Sequence, residues 1–370
     1  MTKRRGNGEG AVYEANGRWC AALTVGHDGN GKRKRRYLYA ETKKALLEKI
    51  DATRSDARMG LLVEPIRQTV GEYLKHWMQT SAAQRVRPTT LYTYEGLAAK
   101  HITPHIGGTR LDKLSHMHLE AWNATLERLG VSAHTRRAAH VLLGTVLRKA
   151  VRSRILARNP MDQVDKPRVA KKEVAVLSPA DVRKLLETAR GHRLEALFVL
   201  AVSTGARQGE LFGLEWRDFD AEAGALSIQR TLIEVDGRIT IGEPKTSKSR
   251  RSLDLPAYAV EALRAHRQRQ PATPHPTARI FSDTEGQPLR KSNFIRRDWH
   301  PLLERAELRR TKFHALRHTH VTMLLAAGGN LKAVSERVGH SRTSMTSDVY
   351  THAVQGQQRE LADTLERMFG

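Results

Sequence analysis

Thr204-Gly205-Ala206-Arg207-Gln208-Gly209-Glu210-Leu211 follows the apolar stretch Leu197-Phe198-Val199-Leu200-Ala201. That order places Arg207 at a helix-to-helix turn, with Glu210 three residues on. Alone, the pair reads equally well as an Arg–Glu surface pair. Further along stands His314-Ala315-Leu316-Arg317-His318, in which His314 and Arg317 are three apart and share one helical face. Then come Gly339-His340-Ser341 and Asp348-Val349-Tyr350-Thr351-His352. Two arginines, two or three histidines and a late tyrosine occur in that order. The only tyrosines beyond residue 175 are Tyr258 and Tyr350. Tyr258 follows Pro256, with apolar spacing to Val260 and Leu263, and reads as core.

The bulk composition narrows the setting. The chain has 370 residues, enough for two or three domains, and 39% of them are hydrophobic, as in a globular protein. No apolar run approaches the roughly eighteen residues of a membrane span. Met1-Thr2-Lys3-Arg4-Arg5-Gly6 precedes no apolar segment, so no secretory signal is expected. Cys20 is the only cysteine, which excludes an internal disulfide and a cysteine-rich zinc site and fits a reducing compartment. The formal net charge is +24, which calls for a polyanionic partner. Residues 1–60 carry 14 Lys and Arg against 7 Asp and Glu, residues 61–172 carry 19 against 8, and residues 173–370 carry 30 against 24. The excess is densest in the middle segment, which is therefore expected to be the main backbone clamp. A merely solvated basic surface does not explain that peak. A membrane-surface role lacks a helix pairing a basic face with an aromatic one.

The chain reads as multidomain and mainly α. Ala11–Ala15 and Arg18–Val25 form strands around the turn pair Asn16-Gly17, and Lys32 to Ala40 forms a third, with Tyr37 and Tyr39 alternating with basic residues. A helix follows from Thr42 to about Arg58, giving a small ββ(β)α domain over residues 1–62. Residues 63–165 form a second, four-helix domain, opened by the linker 61–65. Its first helix carries Val70, Tyr73, Leu74, Trp77 and Met78 on one stripe; the second starts at Pro88. The third has Ser115 as N-cap, and the fourth turns Leu142, Leu143, Val146, Leu147 and Ala150 inward. Residues 166–175 are a charged, Pro-containing linker. The third domain, 176–370, is mostly helical with one small β-sheet at 225–255, its strands being residues 226–233 and 238–242 around Asp236-Gly237 and a third from Arg251 to Leu255. Ser178 caps its first helix, with Pro179 at the first position.

Phosphodiester transesterification needs a nucleophile, cations for the non-bridging oxygens, a proton source for the departing oxygen, and alignment. The chain offers no acidic cluster suited to a metal, and arginine supplies a planar, permanently charged fork instead. His314, His318 and His320 raise a zinc reading, but no carboxylate or cysteine completes it.

The motifs and their order resemble those of the tyrosine recombinase (phage-type integrase) family. In that resemblance Arg207, Lys245, His314, Arg317, His340 and Tyr350 are the catalytic set, with Glu210 and His318 buttressing it. Arg207 and Arg317 hold the scissile phosphate, His314 and His340 hydrogen-bond it, and Lys245 protonates the leaving 5′ oxygen. Lys248 competes with Lys245 for that role. Val338 stands where leucine is usual before Gly-His. Tyr350 would attack to form a 3′-phosphotyrosyl link, with no cofactor and no metal.

The first domain resembles an arm-type DNA-binding domain, with Arg18, Lys32, Arg33, Lys34, Arg35 and Arg36 on DNA. The second resembles a core-binding domain, with Arg85, Arg87, Lys100, Arg136, Arg137, Arg148, Lys149 and Arg152 on phosphates. The resemblance implies a site-specific recombinase (integrase) acting on double-stranded DNA at core and arm sites. It implies a tetramer on DNA that exchanges strands through a Holliday junction, an excisionase-type direction factor, and a cytoplasmic, nucleoid-associated setting. Residues 354–370, with Leu361, Leu365 and Phe369 at helical spacing, form a tail that docks on a neighbouring protomer or on its own domain. The competing functions are a Xer-like dimer resolvase, a type IB topoisomerase and a non-cleaving DNA-binding regulator.

Overall fold

Asn16 and Gly17 adopt φ values of +52° and +71°, the left-handed pair that a two-residue hairpin turn demands. They join β1 (Ala11–Ala15) to β2 (Arg18–His27), with Ala15 facing Arg18, and β2 pairs antiparallel with β3 (Arg33–Ala40). The computed structural model describes residues 11–27, 32–58, 67–170, 175–243, 250–270, 273–340 and 366–368. The chain divides into two units, Met1–Ala170 and Lys171–Gly370.

In the first unit, one face of the three-stranded sheet presents Ala21, Leu23 and Ala40 to Leu46 and Ile50 of α1 (Lys43–Arg58). Strand alternation sends Tyr13, Tyr37 and Tyr39 to the opposite face, where all three are exposed. The helices beyond have a separate core. They are α2 (Val70–Trp77), α3 (Pro88–Leu97), the short α4 (Thr103–Ile106), α5 (His116–Arg128) and α6 (Ala133–Arg152). Helices α2 and α3 each run on into a π-helical turn, Met78–Ala82 and Ala98–Ile102. Capping fixes the starts. Thr69 and Glu72 form a reciprocal capping box on α2, and Ser115 and His118 form one on α5. Leu74, Ile102, Leu119, Trp122, Leu126, Leu143 and Leu147 fill the centre. The Trp122 indole N–H reaches the His101 carbonyl at 2.6 Å, so its burial leaves no unmet donor.

The second unit starts at α7 (Pro179–Thr188), capped by Ser178 with Asp181 in return. α8 (Glu195–Thr204) is buried on every side, which is why it shows an apolar run and no stripe. Around it Phe313 meets Phe294 and Trp299 edge-on at 5.0 and 5.2 Å. α9 (Gln208–Phe212) leads into β4 (Phe219–Asp220), β5 (Ala225–Ile228), β6 (Thr231–Val235), β7 (Arg238–Gly242) and β8 (Arg251–Asp254). The helices α10 (Ala257–Gln268), α11 (Lys291–Phe294), α12 (His300–Arg305), α13 (Ala315–Ala326) and α14 (Leu331–Val338) follow.

The expected single small sheet is two. β4-β5-β8 form one and β6-β7 the other. Residues 226–233, read as one strand, break at Gln229-Arg230. The Arg230 guanidinium is drawn to Asp218 at 2.5 Å and Glu215 at 3.1 Å, and that local ion pairing separates the two ladders.

Leu46→Ala tests whether the sheet and α1 have a core of their own. Removing a fully buried leucine costs about 2–5 kcal/mol, more than a domain of roughly sixty residues can spare. Hydrogen exchange should become fast across residues 11–58 and stay slow in α5 and α6.

Candidate active site

Thr204 ends α8 by donating its hydroxyl to the Leu200 carbonyl at 2.5 Å and accepting the Ala206 N–H at 3.2 Å. Gly205 then turns left-handed, with φ +60°. A Cβ there would sit 2.7 Å from His320 Cδ2, so only glycine fits this turn. The chain leaves it extended at Arg207, which caps α9. The Arg207 N–H donates to Glu210 Oε2 at 3.0 Å, and its Nη1 donates to Oε1 at 2.8 Å. Its Nη2 donates to the Gly339 carbonyl at 3.1 Å.

Glu210 is 2% exposed. Its Oε2 also accepts from Arg251 Nη2 at 3.0 Å. Burial pushes this carboxyl up, but Arg251 and Arg207 outweigh it and hold the group below the ordinary value. The pair is therefore no surface pair but a buried carboxylate between two cations.

His314 stands at the N-cap of α13, and Arg317 lies one turn in, 3% exposed. Arg317 Nη1 donates to the Gly205 carbonyl at 2.8 Å. Gly339 ends α14 with φ +68°, and the His340 N–H donates to the Ser335 carbonyl at 3.0 Å. Each arginine thus reaches a carbonyl on a turn from a different segment, and the turns are the ones that carry Arg207 and His340.

The imidazoles are held neutral. His314 keeps an exposed edge, yet protein crowding around its ring, with His318, Arg317, Arg207 and Lys291 nearby, lowers it to about 4. Burial, then Arg317, Arg207, His318 and His314, lower His340 to about 4. The His314 and His318 rings meet edge to face at 4.9 Å, and burial with Arg317 lowers His318. That mutual influence gathers Arg207, His314, Arg317, His318 and His340 into one site. Arginines beside neutral, N–H-donating imidazoles suit a phosphate on which negative charge develops. Lys245, Lys248, Tyr350, Leu361, Leu365 and Phe369 lie outside the described residues.

His320 does not face His314: its Nδ1 is bonded to the Val202 carbonyl at 2.7 Å, so it packs beneath Gly205 and is no partner in a zinc set. Among the described residues no three His, Cys, Asp or Glu cluster as metal ligands. Tyr258 is not core but 50% exposed. The buried positions of α10 are Ala259, Val260 and Leu263. Tyr258 and Val260 are two residues apart, about 200° around a helix, and cannot share a face. Arg251, which bonds Glu210, and Lys291, which acts on His314, were not among the expected site residues. They join it only in three dimensions, and no local motif marks them.

The basic residues divide by what they touch. Arg136 is taken up by Glu127 at 2.5 Å and Asn123 at 3.2 Å, and Arg137 by the Pro167 carbonyl at 3.3 Å. Arg85, Arg148, Lys149 and Arg152 line one surface pocket over Trp77 and Tyr94, while Arg87 and Lys100 are exposed elsewhere on the helices. Arg18, Lys32, Arg33 and Arg35 are exposed, Arg36 is half-buried opposite Leu23, and the Lys34 side chain lies outside the described residues.

Residues 175–356 match the phage integrase family, and residues 69–126 match the phage integrase N-terminal SAM-like domain. A tyrosine recombinase XerC-like protein of Caldanaerobacter subterraneus subsp. tengcongensis is 32% identical, across 96% of this chain and 98% of that protein. A Tn1549 transposon integrase fragment, solved in complex with circular intermediate DNA, is 25% identical with a TM-score of 0.69, covering 80% of this chain and 100% of that one. A lambda integrase tetramer bound to a Holliday junction shares the fold, with a TM-score of 0.59 at 18% identity, covering 90% of this chain and 96% of that one. Fold and site define a DNA strand-transfer enzyme. The chain belongs to the phage integrase family of tyrosine recombinases, and its activity is site-specific DNA recombination.

The depressed imidazoles set a pH dependence. Between about 4 and the ordinary 6.5 the unfolded chain binds protons that folded His314 and His340 refuse, so stability falls as pH drops through that window. A bound phosphate favours the charged rings and raises them. Calorimetry near pH 6 in two buffers of different ionisation enthalpy should show proton uptake on binding a duplex selected by the protein from a random-sequence library. The uptake should shrink in His314→Gln and His340→Gln.

Proposed function

We propose that this recombinase integrates and excises a mobile element through a 3′-phosphotyrosyl intermediate. Arg207 and Arg317 clamp the non-bridging oxygens of the scissile phosphate, and His314 and His340 donate to it. The Tyr350 oxygen attacks phosphorus, losing its proton, and the bond to the 5′ oxygen breaks. Lys245 gives that oxygen its proton, leaving a free 5′-hydroxyl. A 5′-hydroxyl of the partner duplex attacks the phosphotyrosine in turn and releases Tyr350. The covalent link conserves the phosphodiester energy, so rejoining needs no nucleotide. The observation that supports this reading most is the meeting of Arg207, Arg317 and the lowered His314 and His340 from three distant segments.

DNA would be held by three surfaces. Residues 176–370 cleave it, and the pocket of Arg85, Arg148, Lys149 and Arg152 in the 63–165 domain grips core-site phosphates. The open sheet face of residues 1–62, with Arg18, Arg33, Arg35, Tyr37 and Tyr39, enters the groove of an arm site. Four protomers assemble on two duplexes, a reading supported by the lambda integrase tetramer bound to a Holliday junction. An excisionase-type partner sets direction, and the protein acts in the cytoplasm at the nucleoid. Dimer resolution by the same chemistry is the second reading, favoured by the XerC-like relative. Removing residues 1–62 separates them, since a simple resolvase keeps full activity without an arm-binding domain.

Covalent trapping tests the chemistry. The protein is incubated in EDTA with a nicked form of its library-selected duplex and run on a denaturing gel. An adduct is expected that vanishes in Tyr350→Phe. An adduct that survives moves the nucleophile elsewhere, Tyr258 first. Binding with no adduct from either protein favours the non-cleaving regulator.

Strand alternation predicts which sheet residues touch DNA. Arg35→Ala and Tyr37→Ala should each lose about 1–3 kcal/mol of affinity for a duplex selected by residues 1–62. Arg36→Ala, on the α1 side with Leu38 and Ala40, should change that affinity little in the same competition assay.

A further inference from the structure

Arg251 opens β8 opposite Ile228 and belongs to none of the motifs read above. Its side chain is 7% exposed. Its Nη2 donates to Glu210 Oε2 at 3.0 Å, and its Nε donates to the Arg337 carbonyl at 2.7 Å. Glu210 in turn holds both the backbone and the side chain of Arg207. Arg207 Nη2 reaches the Gly339 carbonyl. The hydrogen bonds therefore close a ring. One carboxylate gathers two arginines, and these arginines hold the carbonyls of residues 337 and 339, directly before His340.

Two physical consequences follow. Arg207 and Glu210 alone would neutralise each other; with Arg251 sharing the carboxylate, the cluster keeps one positive charge for a phosphate. The bonds to Glu210 and Arg337 also leave Arg251 from two nitrogens of one rigid plane. A lysine ammonium offers a single centre and cannot hold both acceptors in that fixed geometry.

We propose that Arg251 is a positioning residue for DNA cleavage, fixing Glu210 and the turn at 337–339 so that Arg207 and His340 are set against the scissile phosphate. This rests on the reading that Arg207 and His340 hold that phosphate. Arg251 touches no DNA in this role, and its contribution is alignment.

The test measures single-turnover adduct formation on the nicked, library-selected duplex, with affinity for the intact duplex and thermal melting measured on the same proteins. Arg251→Met should slow the adduct roughly hundredfold, the size expected for misalignment. Duplex affinity should stay at the wild-type value. Arg251→Lys should recover part of the rate, and it serves as the decisive variant if Arg251→Met fails to fold. Glu210→Gln should slow the reaction too, and adding Arg251→Met to it should cost little more, because the residues act as one network.

Wild-type rates in both Arg251 variants, with Arg207→Ala inactive, would overturn the positioning role and leave the site reading intact. A wild-type rate in Arg207→Ala would overturn the site reading itself. Losses that multiply in the double variant, or that track equally lowered melting and duplex affinity, would make Arg251 a merely structural strut.

Discussion

The arrangement of the site depends on one buried carboxylate. Glu210 sits almost wholly inside the second unit, where a lone negative charge would be strongly disfavoured. Two guanidiniums and a backbone N–H compensate it. Because those arginines come from the start of α9 and the start of β8, satisfying Glu210 draws a helix and a sheet to one point. The spare donors of the same arginines then reach carbonyls at the end of α14. A cost that the fold must meet thereby fixes the backbone from which His340 projects.

Turn geometry does the complementary work. Gly205 is compelled to be glycine by its left-handed backbone and by His320 beneath it, and its carbonyl is the acceptor that seats Arg317. The site's cations are thus bonded to protein before any substrate arrives. Such preorganisation is what electrostatic catalysis requires, since groups already oriented need no rearrangement as charge develops. Burial, with the cations nearby, keeps His314 and His340 uncharged, ready to respond to an anion.

Much of this was legible in the sequence. Ser115 and Ser178 cap the helices they were expected to cap, because a cap is a local bond between residues three apart. Asn16-Gly17 makes its hairpin for the same reason. Tyr258 was misread, since an apolar neighbour two residues away does not lie on the same helical face. The strand at 226–233 was misjudged because its interruption comes from Asp218 and Glu215, residues a sequence window does not connect to Arg230. Arg136 and Arg137 looked like Arg148 and Arg152 in the sequence, yet the first two are bonded within the protein and the latter two line an open pocket.

By itself, the sequence determined the helix starts and hairpin turns, the polyanion partner implied by a +24 charge, and the order of the arginine, histidine and tyrosine motifs. Each depends on residue type and short-range spacing. Only the tertiary structure decided that Glu210 is buried and that Arg251 joins the site. It also decided which face of the first sheet stays open. Those outcomes depend on long-range packing: Arg251 lies 41 residues from Glu210, and Arg207 lies 132 residues from the carbonyl it bonds.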